Sequence, residues 1–275
     1  MSSKVGFLYL GDKYKEEEKL IAENFVTVRT NSVFDEINDV SKLQNSDYVI
    51  LRGTKLSQEV YEKTYTFLQQ KNINVYSPPA SYKIANSAVL YSKLLGSKAP
   101  LLYVFPSGKS DNEIISSFNN DVKFPLFVRS EKESAAKYVG VNGCIILNNN
   151  SELFKIALCN LRKNVKEFNE IIFKQVVPIK QNSKNLNLEY RAIIFRGKLI
   201  SFDYDEQLSN PSDYRLDQFV IEVATDLFRK GFDGGYFMDF AIKEDGSFFV
   251  VECKDLINGT IKNIDRLING LKKEI

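Results

Sequence analysis

The chain contains no histidine. That excludes a Ser-His-Asp triad, a Cys-His dyad, a histidine-ligated zinc and a histidine general base within it. Any chemistry falls to carboxylates, lysine, arginine, hydroxyls, thiols or a bound ion. Cysteine is scarce too: Cys144, Cys159 and Cys253 lie far apart and form no CxxC pair, so neither a disulfide scaffold nor a cysteine zinc site is expected. Charge of one sign is also lacking. Lys+Arg total 37 against Asp+Glu 35, a net charge of +2, which gives no support for a general nucleic-acid or anionic-membrane binder. No apolar run approaches the length of a membrane span. Val5–Leu10 is too short for a secretory core and is soon followed by Asp12 and a Lys/Glu run, so a cytoplasmic location is expected. No GxGxxG occurs. Ser107-Gly108-Lys109-Ser110 looks like the end of a phosphate loop, but Tyr103 stands where that loop needs its first glycine. There is no internal repeat and no low-complexity tract.

What is present is 275 residues, 44% of them hydrophobic, enough for one large domain or two ordinary ones. The first third alternates short apolar strands with amphipathic helices. Strands are expected at 5–10, 25–29, 48–51 and 73–76 and helices at 14–24 and 57–71, with Ser57 as N-cap. This pattern predicts a small parallel α/β unit. Ser77-Pro78-Pro79-Ala80-Ser81 reads as a linker, and 84–95 as a helix. Strands then dominate, at 101–105, 126–129, 143–147, 171–177, 190–195, 199–204, 236–242 and 247–253. Helices are expected at 112–119, 151–160 and 217–229. The second region is therefore α+β with antiparallel hairpins.

The sharpest local signal is the run from Tyr236 to Glu252. Asp245-Gly246 between two apolar segments predicts a two-residue hairpin turn. That register places Ala241 opposite Val250 and Asp239 opposite Glu252. Two carboxylates facing each other destabilise a ladder unless a cation joins them, and Mg²⁺ prefers such oxygen ligands completed by phosphate and water. Otherwise Asp239 ends its strand or meets an arginine, and Glu252 is solvated. Cations occupy unusual places as well. Arg129 ends an apolar strand and precedes a polar loop, 131–136, and Lys137-Tyr138-Val139-Gly140, a stretch able to fold over polyphosphate. Lys174 interrupts the apolar strand 171–177 and, unless it points outward from an edge strand, needs a phosphate or carboxylate partner. Glu189 and Arg191 share one strand face, where the guanidinium can hold a phosphate or a carboxylate.

Taken in order, these segments resemble the ATP-grasp superfamily over most of the chain. Residues 1–83 look like its α/β pre-ATP-grasp domain and 84–275 like its two-lobed module with antiparallel sheets. Met238-Asp239-Phe240 with Val250-Val251-Glu252 looks like its metal-binding pair, and 124–140 like its phosphate-binding strand and loop. Residues 171–178 look like its adenine hinge. Two departures stand out. Arg129 replaces the usual lysine, and Lys254 replaces the asparagine that completes the metal site, with Asp255 or Asn258 as stand-ins. The arginine, Lys137–Gly140 and Glu189-Tyr190-Arg191 resemble a divergent clade of peptide- or protein-modifying enzymes. That clade includes a eukaryotic assembly factor for translation initiation factor two.

The resemblance implies an ATP-dependent carboxylate–amine ligase that works through an acyl phosphate with Mg-ATP. Asp239 and Glu252 would hold Mg²⁺. Arg129, Lys137, Lys174 and, from the helix after the linker, Lys93 would bind phosphates. Gln175, Val176 and Val177 would read adenine beside Glu189, and Arg191 with Arg129 would serve catalysis. The partners would be a carboxylate substrate and an amine acceptor, a peptide or protein among the candidates, with no DNA and no membrane. The alternative is a nucleotide-dependent protein-binding or assembly factor with little turnover. A third reading is an α+β protein without nucleotide.

Overall fold

A computed structural model describes residues 4–31, 40–118, 122–131, 133–203 and 214–274. The expected ends at Asn119 and Tyr204, and Lys132 of the polar loop, lie outside the described residues. The N-terminal unit is a parallel sheet in the order β2-β1-β3, made of β1 (Val5–Leu10), β2 (Val26–Thr30) and β3 (Tyr48–Gly53). The apolar runs of β1 and β3 are covered on both faces, as parallel strands require. Helix α1 (Lys15–Ala22) follows β1. Helix α2 (Gln58–Gln70) starts where Ser57 accepts a hydrogen bond from the Val60 amide, and it buries Tyr61, Thr64 and Leu68. The expected strand at 73–76 forms only a single parallel bridge between Val49 and Val75.

The linker reading is corrected: Pro79 opens helix α3 (Pro79–Ala85), because a proline at the first helical position loses no bond and has its φ preset. The expected helix at 84–95 is likewise two helices. The Asn86 side-chain amide closes α3 by donating to the Tyr82 carbonyl at 2.9 Å, and extended Ser87 caps α4 (Ala88–Leu95) through the Leu90 amide.

Two four-stranded antiparallel sheets follow. The smaller has the order β4-β7-β5-β6, from β4 (Leu102–Pro106), β5 (Leu126–Ser130), β6 (Ile145–Ile146) and β7 (Glu170–Gln175). One face is closed by α5 (Asp111–Ser116) and α7 (Ser151–Asn164) over Phe118, Phe154 and Phe173. Burying each such ring contributes about 1.5–3 kcal/mol. Between β5 and β6 lies a single helical turn, α6 (Ala136–Val139). The larger sheet has the order β11-β10-β8-β9, from β8 (Glu189–Phe195), β9 (Lys198–Asp203), β10 (Gly235–Ile242) and β11 (Phe248–Asp255). Helix α8 (Tyr214–Arg229) packs on one face with α4, burying Leu216, Val220, Val223 and Leu227. The opposite face meets the N-terminal sheet and a C-terminal helix not expected from the sequence, α9 (Ile264–Glu274). The fold class expected from sequence, an α/β unit followed by a two-lobed α+β module, is the one the chain adopts.

Candidate functional site

The alternation of β8 and β10 explains where a polar site arises. Tyr190, Ala192, Ile194, Met238 and Phe240 point into the core beneath α4 and α8. Ile193, Phe195 and Phe237 point the other way, against the N-terminal sheet and α9. Further along this second face the apolar cover ends. The same strand period presents Arg191 and Glu189 on β8, Asp239 on β10, and Glu252 and Lys254 on β11.

Asp239 faces Glu252 across the β10–β11 ladder, as expected, but through a different backbone path. The turn is a three-residue loop, Glu244-Asp245-Gly246, with the Lys243 amide donating to the Ser247 carbonyl and Gly246 at φ +81°. Ala241 therefore pairs with Phe249 rather than Val250. A bulge at Val251 then restores the register. The carbonyl of this unpaired residue accepts a 2.6 Å hydrogen bond from Lys174 Nζ, which reaches over from β7.

The carboxylates are already partnered. Arg191 grips Asp239 with a fork, Nε to Oδ1 at 2.6 Å and Nη2 to Oδ2 at 2.8 Å. Its Nη1 donates to the Thr260 carbonyl at 3.0 Å, and the guanidinium lies 5.0 Å from the centre of the Phe237 ring. Lys254 Nζ sits 2.8 Å from Glu252 Oε2 and 3.3 Å from Asp239 Oδ2. Arg129, on β5 of the smaller sheet, brings Nη1 to 3.9 Å from Glu252 Oε1. Of the outcomes open for Asp239, the arginine partner is realised. Glu252 is bridged by an ammonium instead of being left to solvent.

The titration behaviour follows from these contacts. Burial alone would raise the Asp239 carboxyl, but the Arg191 fork and then Lys254 outweigh it and hold it below its ordinary range. Desolvation pulls the half-buried Lys174 ammonium down, with Glu252 opposing. Glu189 keeps solvent access, yet desolvation and then the Asp239 charge push its carboxyl up.

Not every candidate converges here. Lys137, on α6, is exposed, ion-paired with Glu133 and laid over the Tyr138 ring, its ammonium 4.7 Å from the ring centre. Lys93 is exposed on α4. Gln175, Val176 and Val177 form the crossing from β7 towards the larger sheet. The amides of Gln175 and Val176 are taken by the carbonyls of Leu101 and Pro125, whereas that of Val177 makes no hydrogen bond among the described residues. Val176, Val177 and Pro178 line an open cleft with Asn187 and Glu244. Ser110, at the end of the false phosphate loop, caps α5 in a reciprocal box with Glu113. Two contributors escaped sequence reading. Tyr91, buried on α4, has its hydroxyl pushed up by burial and by Glu252, and helical spacing marks it only as core. Thr260 acts through a carbonyl, which no residue type signals.

Four cations from two facing sheets, Arg129, Lys174, Arg191 and Lys254, thus stand among four carboxylates, Asp239, Glu252, Glu189 and the buried Asp203 opposite Arg191, a concentration of paired charge whose cations a polyphosphate can re-partner. For a resident divalent cation the opposed carboxylates are contested: both Asp239 oxygens and Glu252 Oε2 are taken by Arg191 and Lys254, while Glu252 Oε1 lies 3.9 Å from Arg129. Among the described residues no group of three or more Cys, Asp or Glu side chains is gathered to hold a metal, so a magnesium ion here would complete its shell with phosphate and water.

No family model matches the chain, and no curated protein matches it. Solved structures do resemble it. A D-cycloserine synthetase, DcsG, superposes with a TM-score of 0.62 at 13% identity, covering 98% of this chain and 99% of that one. A RimK domain ATP-grasp protein from Sphaerobacter thermophilus gives a TM-score of 0.63 at 13% identity over 98% of each chain. The D-alanine–D-alanine ligase from Bacillus anthracis, solved with ATP, gives 0.55 at 15% identity, over 93% of this chain and 87% of that one. At these identities the likeness establishes the fold, and the fold is that of ATP-grasp structures.

Proposed function

We propose that the chain is an ATP-dependent ligase of the ATP-grasp type, joining a carboxylate to an amine. The observation that carries the reading is the convergence of Arg129 and Lys174 from the smaller sheet with Arg191 and Lys254 from the larger. ATP would supply a phosphoryl group that activates the substrate carboxylate. Arg129 and Lys174 would bind phosphate oxygens, Lys174 exchanging its Val251 carbonyl for the ligand. The free amide of Val177 would meet the adenine edge beside Gln175 and Val176, with Glu189 at the ribose side. Arg191, held rigid by Asp239, would neutralise charge developing on the activated carboxylate without having to reorganise. Lys137 on α6 and Lys93 on α4 are assigned to the outer phosphates. Magnesium would come in with the polyphosphate rather than reside on Asp239 and Glu252. The acceptor amine belongs to a peptide or protein, the class implied by the arginine at position 129. The protein would act in the cytoplasm.

One observation favours the second reading, a nucleotide-dependent protein-binding factor with little turnover. The Asp239–Arg191–Lys254–Glu252 network takes both Asp239 oxygens and Glu252 Oε2, leaving only Glu252 Oε1 of this pair, 3.9 Å from Arg129, to meet a catalytic cation.

Thermal unfolding with and without ATP tests the nucleotide site. Ligand at about a hundred times its Kd stabilises by roughly 2.7 kcal/mol, which for a chain of this length raises Tm by about 5 °C. The Arg129→Ala, Lys174→Met double variant should lose that shift. An absence of any shift in the wild type sinks the ATP reading. ADP formation that depends on both a carboxylate and an amine separates ligase from binding factor.

A further inference from the structure

Lys254 is the least expected member of the site. It follows Glu252 by two residues on β11, so both side chains project from one face. Its ammonium lies between the two carboxylates that oppose each other across the ladder, 2.8 Å from Glu252 Oε2 and 3.3 Å from Asp239 Oδ2. Arg191 takes both oxygens of Asp239, and Arg129 stays 3.9 Å from Glu252. Lys254 is therefore the close counter-charge of Glu252.

A divalent ion on Glu252 Oε2 would have to compete with this ammonium. Ligated to Glu252 Oε2 at about 2.1 Å, it would lie within about 5 Å of an ammonium already bonded to the same oxygen. Nor is the ammonium wholly spent. It has three N–H donors, two directed at carboxylates, and the side chain is 41% exposed.

We propose that Lys254 is a built-in cation that takes the place of a divalent ion at this site, neutralising Asp239 and Glu252 and offering its remaining N–H to the polyphosphate. Triphosphate binding then depends only weakly on divalent metal. The inference rests on the nucleotide reading above.

The test is the Kd of ATP for the full chain in excess Mg²⁺ and in excess EDTA, for the wild type, Lys254→Asn and Lys254→Arg. In the wild type the two values should agree within about tenfold. A hydrogen bond to a charged group contributes about 1.5–3 kcal/mol, so Lys254→Asn should weaken binding in EDTA by about tenfold or more. Mg²⁺ should recover most of that loss, and Lys254→Arg should behave like the wild type. Mn²⁺ titration followed by electron paramagnetic resonance should find an additional bound ion in the ATP complex of Lys254→Asn. If the wild type and Lys254→Asn depend on Mg²⁺ equally, the inference is overturned while the nucleotide site stands. If ATP binds under neither condition, both fall. Should Lys254→Asn fail to fold, the wild-type comparison alone decides: a loss in EDTA of more than about a hundredfold overturns the proposal.

Discussion

Replacing Asp239 by asparagine isolates the central ion pair. Asp239 is 9% exposed and Arg191 19%, so screening by water is limited. Asparagine keeps the shape but removes the charge that the guanidinium fork addresses. Removing one partner of a buried pair costs about 3–5 kcal/mol, chiefly because the other charge is left uncompensated. The lower end applies, because Arg191 keeps the Thr260 carbonyl and the Phe237 ring. A loss of about 3 kcal/mol corresponds to a Tm lower by roughly 5 °C for a chain of 275 residues. Urea unfolding at neutral pH measures it directly. The pH profile adds a signature. The Asp239 carboxyl is depressed in the folded state, so its stabilisation is present above the unfolded carboxylate value, near pH 4, and is lost as pH falls through the folded value. The asparagine variant should lack that acid-side loss, so the two stability curves converge below about pH 4. A variant within about 1 kcal/mol of wild type at neutral pH, with an unchanged acid limb, would refute a charged, shielded pair.

Two further outcomes follow from neighbouring groups. Arg52 is 1% exposed, bonded to both oxygens of Glu17 and to the carbonyls of Leu256 and Gly259. Arg52→Met should destabilise by about 3–5 kcal/mol in urea unfolding, and Glu17→Gln should lose less, because it leaves the two carbonyl contacts in place. Glu189 is disfavoured as a charge, its carboxyl raised in the folded state. Glu189→Gln should therefore stabilise at pH 7 by under about 1 kcal/mol, given its solvent access, and the gain should vanish below about pH 4, where the wild type is neutral in both states.

Much of the fold was legible because strand and helix periods were clean in the segments that form the sheets. The opposition of Asp239 and Glu252 was legible only by accident of geometry. A two-residue turn and a three-residue loop differ by one position, and the Val251 bulge gives that position back. Asp245-Gly246 marks a tight turn but does not distinguish the two, since Gly246 at positive φ serves either. The break at Asn86–Ser87 was hidden because apolar spacing continues across it, and only the local side-chain bonds stop the helix. Lysine positions were the weakest inferences. A long flexible side chain can turn to a nearby carboxylate, as Lys137 does towards Glu133, or bridge strands, as Lys254 does, and sequence fixes neither direction. The N-terminus of α9 depends on Asp203, whose carboxylate accepts the amides of Lys262 and Asn263 from a distant strand end.

The short stretch from Leu256 to Thr260 has a consequence for dissecting the molecule. At Leu256 and Gly259 it is held by an arginine of the N-terminal sheet, and at Thr260 it holds the arginine of the candidate site. Val5, Phe7 and Tyr9 share a core with Leu256, Ile261, Leu267 and Leu271. Cutting the chain after residue 83 would strip both the donor and the apolar cover from this stretch. A fragment carrying every candidate site residue would still lack the frame that aims Arg191. The second region expressed alone is therefore a poor stand-in for the whole chain, and the first 83 residues act on the site without contributing a side chain to it.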